Sequence, residues 1–144
     1  MSFRRLPLLA FLAAGLTAAA DAAPVAFDEV RAIFEGKCLE CHNPDKTKGK
    51  LLMTSREGFL KGGESGAALI GVDAEKSELI KRLTLPKEHD DIMPPKNGPL
   101  PAAEIDVIRR WVAEGAVWPA GVVLAAKDKS KEEAKAELTQ KLAT

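Results

Sequence analysis

The chain has 144 residues, with 21 Lys+Arg against 21 Asp+Glu, two His, two Cys and no Tyr. That length suits one domain around one core, and a formal charge of zero lacks the basic excess of a nucleic-acid binder. An apolar fraction of 46% beside 29% charged residues reads as globular, and two cysteines are too few for a disulfide scaffold.

Arg4 and Arg5 precede an apolar run from Leu6 to Leu16, and Ala20-Asp21-Ala22 has the pattern of a signal-peptidase site. Residues 1–22 are therefore expected to be a signal peptide, which places the mature chain outside the cytoplasm, in the periplasm or an equivalent compartment. The run is short for a membrane span, and nothing after it is long and apolar enough to be one.

Phe27, Val30, Ile33 and Phe34 recur at helical spacing, so Phe27 to Lys37 is predicted as a helix that Gly36 ends or loosens. From Asn43 to Gly66 the chain is rich in Lys, Gly and Ser. It is predicted as loop with one short helix over Ser55 to Lys61. Leu79, Ile80 and Leu83 give a second apolar face over Ser77 to Leu85, stopped by Pro86. A rigid turn-bearing loop spans Asp90 to Gly98, with Pro94 and Pro95 at its centre. Pro101 opens a further helix to about Ala113, whose apolar face is Ile105, Ile108, Trp111 and Val112, and Gly115 supplies its stop. Trp118-Pro119 closes the packed region. The expected fold class is all-α: one small helical domain over residues 26–120 with long loops. Residues 121–144 form a Lys-, Glu- and Ala-rich tail, flexible or marginally helical.

Both cysteines lie in Cys38-Leu39-Glu40-Cys41-His42, the attachment pattern of c-type haem. Two thiols one short turn apart can add to the two vinyl groups on one porphyrin edge. The adjacent His then offers iron its proximal nitrogen ligand. Other readings are weaker. A redox Cys-x-x-Cys wants a thioredoxin-like βαβ context that this pattern of elements lacks, and a zinc site would have only His89 as another strong N or S donor. A plain surface disulfide stays open. For the distal position, Met93 in the proline-stiffened loop is the preferred ligand, a soft thioether that raises the reduction potential. His89 is its rival and would give a bis-His centre; Met53 is the third candidate, better explained as core packing.

These stretches resemble the class I c-type cytochromes, and more closely the cytochrome c-like domain of secreted planctomycete and verrucomicrobial proteins. The resemblance rests on residues 38–42, 48–66, 77–83, Met-Pro-Pro at 93–95, and 104–119. It implies terminal helices that cross beside one covalently attached haem c, with Cys38 and Cys41 as thioether links, His42 as proximal ligand and Met93 as distal ligand. Within the shared stretch 48–66, Arg56, Lys61 and Ser65 are candidates for contacting haem propionates. Apolar residues such as Phe34, Ile105, Ile108 and Trp111 are expected near the group, Trp111 being better explained as a plain core residue. The implied function is single-electron transfer to and from redox partner proteins of the same compartment, with no catalysis. The alternative is a haem-based sensor or peroxidase-like module with a displaceable distal ligand, for which His89 with Arg82 is the available polar pair.

Overall fold

A computed structural model describes residues 23–96, 98–127 and 138–142. The expected signal peptide lies outside the described residues, as does part of the expected tail. Helix α1 spans Phe27–Ile33, with Asp28 and Glu29 favourably placed against the positive end of its dipole. The backbone then widens into a π-helical turn over Phe34–Cys38, in which the Leu39 N–H donates to the Phe34 carbonyl at 3.0 Å. Such single wide turns recur at functional sites. Here the turn delivers Cys38.

The expected all-α class does not hold. His42–Asn43 (β1) pairs antiparallel with Lys46–Thr47 (β2), His42 opposite Thr47 and Asn43 opposite Lys46. The cause is local. The Asn43 side-chain oxygen accepts the N–H groups of Asp45 and Lys46, each at 2.9 Å, and its amide donates to the Leu39 carbonyl at 2.7 Å. One side chain thereby closes the turn and ties it to the preceding segment, which competes with helix continuation. A 3-10 turn follows over Lys48–Lys50. The architecture is a set of short helices, this small hairpin and long loops.

Helix α2 covers Arg56–Lys61, capped by Ser55, whose Oγ accepts the Gly58 N–H at 3.2 Å. Gly62 ends it at φ 76°, where a Cβ would strike the Gly66 carbonyl, so this bend needs a glycine. Helix α3 covers Glu78–Leu83. Ser77 is fully buried before it and organises the approaching loop, donating to the Asp73 carbonyl at 2.7 Å and accepting from the Ile70 N–H at 3.0 Å. Helix α4 runs over Ala102–Ala113. It ends in a Schellman arrangement: Ala116 N–H to Trp111 carbonyl at 2.8 Å and Gly115 N–H to Val112 carbonyl at 3.0 Å. Gly115 has φ 100°, as the sequence predicts for the stop.

Helices α1 and α4 pack together, and α3 packs on α4. Their junction holds a cluster of aromatic rings: Phe27, Phe34, Phe59, Trp111 and Trp118, with centroids 5.0 to 6.4 Å apart. Those separations suit tilted and edge-to-face packing. Each indole N–H is satisfied, Trp111 by the Val117 carbonyl and Trp118 by the Val122 carbonyl, both at 3.0 Å. Few as they are, the aromatics make a core by concentrating at one place.

Packing continues past residue 120. Leu124 is buried in the same core, its N–H donates to the Thr54 carbonyl at 2.8 Å, and the Lys127 N–H reaches the Glu35 carbonyl at 3.2 Å. A Leu124→Ala substitution is expected to cost about 2–5 kcal/mol in chemical denaturation. A cost near zero would mean that this strand of chain does not dock. Among the described residues no helix is long and apolar enough to cross a membrane.

Candidate functional site

A cavity of about 610 Å³ opens beside the π-helical turn. Its volume falls within the range of small-molecule and cofactor sites. All of its lining residues lie between Gly36 and Pro101, that is, between the end of α1 and the start of α4. Cys38, Cys41, His42 and Met93 all line it. The π-turn, the hairpin and the proline-rich loop before α4 thus bring the pentapeptide and the preferred methionine to one space.

Local bonds position each of them. The Cys41 N–H donates to the Cys38 carbonyl at 3.1 Å, closing the short turn between the thiols. The Cys41 carbonyl accepts from the Lys48 N–H at 3.1 Å, and the His42 carbonyl accepts from the Met53 N–H at 3.0 Å. Both ligating-type residues therefore sit on backbone that is tied across to the following segment. Met93 is partly buried and its N–H donates to the Arg82 carbonyl at 3.0 Å. The Met93–Pro94 peptide is cis.

Burial shifts the titration of two of these side chains. The two cysteines are free thiols. Burial, with the Glu104 carboxylate adding to it, pushes the Cys38 thiol up to about 12. Redox-active Cys-x-x-Cys thiols have depressed values, so this environment opposes that reading. Burial also draws the His42 pKa below its ordinary value, although the backbones of Leu51 and Lys48 oppose the shift. Neutral imidazole is the ligating form. His42 Nδ1 is buried without a well-formed hydrogen bond. Among the described residues no group of three or more His, Cys, Asp or Glu side chains converges as a metal site. Two thiols, one imidazole and one thioether on a single cavity instead suit a flat iron-bearing group held by its edge and by its metal.

Leu51, Met53, Ala68, Leu79, Leu83 and Leu100 supply apolar walls. Met53 is buried and belongs to the core as well as to this wall, in keeping with a packing role. The aromatic residues do not line the cavity. Phe34 and Ile108, expected beside the group, stand in the core with Ile105 packed against it, and Trp111 is the core residue it was better explained as; the lining combines aliphatic and proline side chains with charged ones such as Lys48, Glu78, Arg82 and Asp91. The aromatics pair with each other because rings from α1, α2 and α4 converge at the helix junction.

The polar candidates are rearranged. Arg56 is exposed at the start of α2 and does not line the cavity, nor does Lys61; Ser65 does. His89 is exposed away from the lining, where its Nδ1 accepts the Asp91 N–H at 3.1 Å. The lining residue that sequence reasoning underweighted is Arg82. Its Nε donates to Glu78 at 2.8 Å, Nη1 to Asp91 at 3.0 Å and Nη2 to Ser65 Oγ at 2.7 Å. Burial disfavours the Arg82 charge, but the Glu78 and Asp91 carboxylates outweigh it and hold the guanidinium above its ordinary pKa. The available signal was the i, i+4 pair Glu78–Arg82 on a helix; the partners at Ser65 and Asp91 carry no local spacing rule.

Residues 38–97 match the family model described as Planctomycete cytochrome C. No curated protein and no solved structure shows significant similarity to the chain.

Proposed function

With residues 38–97 matching the family model described as Planctomycete cytochrome C, we propose that this chain is an extracytoplasmic electron carrier that would hold one covalent haem c with His42 and Met93 as its iron ligands. The observation that carries the reading is the convergence of Cys38, Cys41, His42 and Met93 on one cavity. When bound, haem c supplies a one-electron ferric/ferrous couple. The chain's residues do the rest. Cys38 and Cys41 would hold the group by thioether links, each thiol adding across one vinyl group so that sulfur and proton end on its two carbons with no net oxidation. The His42 ring, neutral in its buried setting, offers a nitrogen lone pair, and Met93 offers a sulfur lone pair. With both His42 and Met93 holding the iron, no position would stay open for a substrate, which favours a carrier over an enzyme. The apolar part of the wall, Leu51, Met53, Ala68, Leu79, Leu83 and Leu100, would favour the less charged ferrous state. Redox proteins of the same compartment are the proposed partners.

The test is the spectrum of protein matured in a host competent for haem c attachment, taken through a redox titration. A haem c pyridine haemochrome, a one-electron wave and a long-wavelength sulfur-to-iron band in the ferric form support the proposal. Met93→Ala should abolish that band and let the ferrous protein bind carbon monoxide. Persistence of the band in Met93→Ala would remove Met93 from the iron. Rapid carbon monoxide binding by the parent protein would replace the carrier reading with an open-site sensor or enzyme.

A further inference from the structure

Arg82 joins parts of the cavity wall that are distant in sequence. From α3, its guanidinium donates to Ser65 in the glycine-rich loop, to Glu78 one turn earlier, and to Asp91 in the loop that ends at Met93. Its backbone carbonyl accepts the Met93 N–H at 3.0 Å. Ser65, Glu78, Arg82, Asp91 and Met93 all line the cavity. Thus the loop leaving α3 after Leu83 returns to its own starting helix and is fastened to a single residue at two points, by side chain at Asp91 and by main chain at Met93. Ile92, between these points, is buried.

An isolated exposed ion pair would contribute little. Although the Asp91 side chain is 58% exposed, the Arg82 side chain is 25% exposed and each of its nitrogens is engaged, with two carboxylates sharing one cation. Hydrogen bonds to charged groups are stronger than neutral ones, and a planar fork fixes direction as well as distance. Without the guanidinium, Glu78 and Asp91 would lose their shared cation, and the main-chain bond at Met93 would be the one tie left between the loop and Arg82.

We propose that Arg82 is a positioning residue for Met93, acting through Asp91 to hold the methionine sulfur on the iron. This rests on the His42/Met93 haem reading above and deepens it. A ligand held by a two-point fastening is displaced less often, so external ligands bind in proportion to the fraction of molecules with the sulfur released. Lysine cannot replace the fork: it keeps the charge but reaches fewer partners in fixed directions.

The experiment uses ferric holoprotein titrated with imidazole, with the sulfur-to-iron band followed in parallel. Arg82→Gln should raise apparent imidazole affinity about tenfold or more and weaken the band, with Arg82→Lys between it and the parent. Asp91→Asn should reproduce part of the shift, and the Arg82→Gln/Asp91→Asn double variant should be no worse than Arg82→Gln. Unchanged affinity and band in Arg82→Gln would overturn the proposal. So would a shift in Arg82→Gln that Asp91→Asn does not share, because Arg82 would then act by another route. If Arg82→Gln does not mature, Asp91→Asn decides: a partial shift supports the proposal and parental behaviour overturns it. Absence of the sulfur band in the parent would instead overturn the axial-ligand reading itself, and this inference with it.

Discussion

In a Cys38→Ala/Cys41→Ala double variant, covalently attached haem should fall to background. Intact mass under denaturing conditions reads this directly: the parent carries one added haem and the double variant none. Each single variant should keep one thioether, with its haemochrome maximum displaced as expected when one vinyl stays conjugated to the porphyrin. The effect is all-or-none because nothing else lining the cavity can form a stable carbon–sulfur bond; the Met53 and Met93 sulfurs already carry two carbons. Covalent haem surviving in the double variant would show that the pentapeptide is not the attachment point. Any haem that binds reversibly would still report on His42 and Met93.

Phe34→Ala should have the largest effect on stability. Phe34 is fully buried, and its ring centroid lies 5.7 Å from Phe59, 5.8 Å from Trp111 and 6.4 Å from Trp118. Truncating a buried Phe costs about 3–5 kcal/mol, a large share of the ~5–15 kcal/mol that holds a typical domain folded. For a domain of this size that is a fall of roughly 12 °C or more in Tm. Ile70, half exposed on a loop, is the control: Ile70→Ala should stay within about 0.5 kcal/mol of the parent. Equal losses in the two variants would mean that the ring cluster is not the centre of the core.

What could be read in advance follows from how local each signal is. The helices around Phe59, Ile80 and Trp111 are marked by residues at their own ends, Ser55, Pro101 and Gly115 among them, and the structure places them where those residues stand. Cys38, Cys41 and His42 were legible as a five-residue motif and Met93 as a soft sulfur in a proline-stiffened loop, and the structure puts all four on one cavity. The hairpin escaped because two-residue strands show no alternation; its cue was Asn43-Pro44-Asp45, a turn carried by a side chain. The π-turn leaves no periodic trace beyond a permissive Gly36. Arg82 and Leu124 escaped for a different reason. Their partners, Ser65 and Asp91 for one and Thr54 for the other, are set by the folded chain and not by neighbours in sequence. Arg56 was a candidate by its place in a familiar stretch, and the structure leaves it exposed at a helix start, outside the cavity lining.

The cavity lining begins and ends between α1 and α4, and the rings that hold those helices together stand mostly outside it. In polymer terms the pocket is one long loop closed at its base by aromatic contacts. Closure entropy grows only with the logarithm of loop length, each doubling costing roughly 0.6 kcal/mol. Lengthening a turn within the loop is therefore cheap, whereas loosening the base frees every wall together. The matched segment 38–97 contains a single ring of that base, Phe59, whose ring partners Phe34, Trp111 and Trp118 come from the flanks. The segment that grips the guest thus depends for its shape on helices that never touch the cavity.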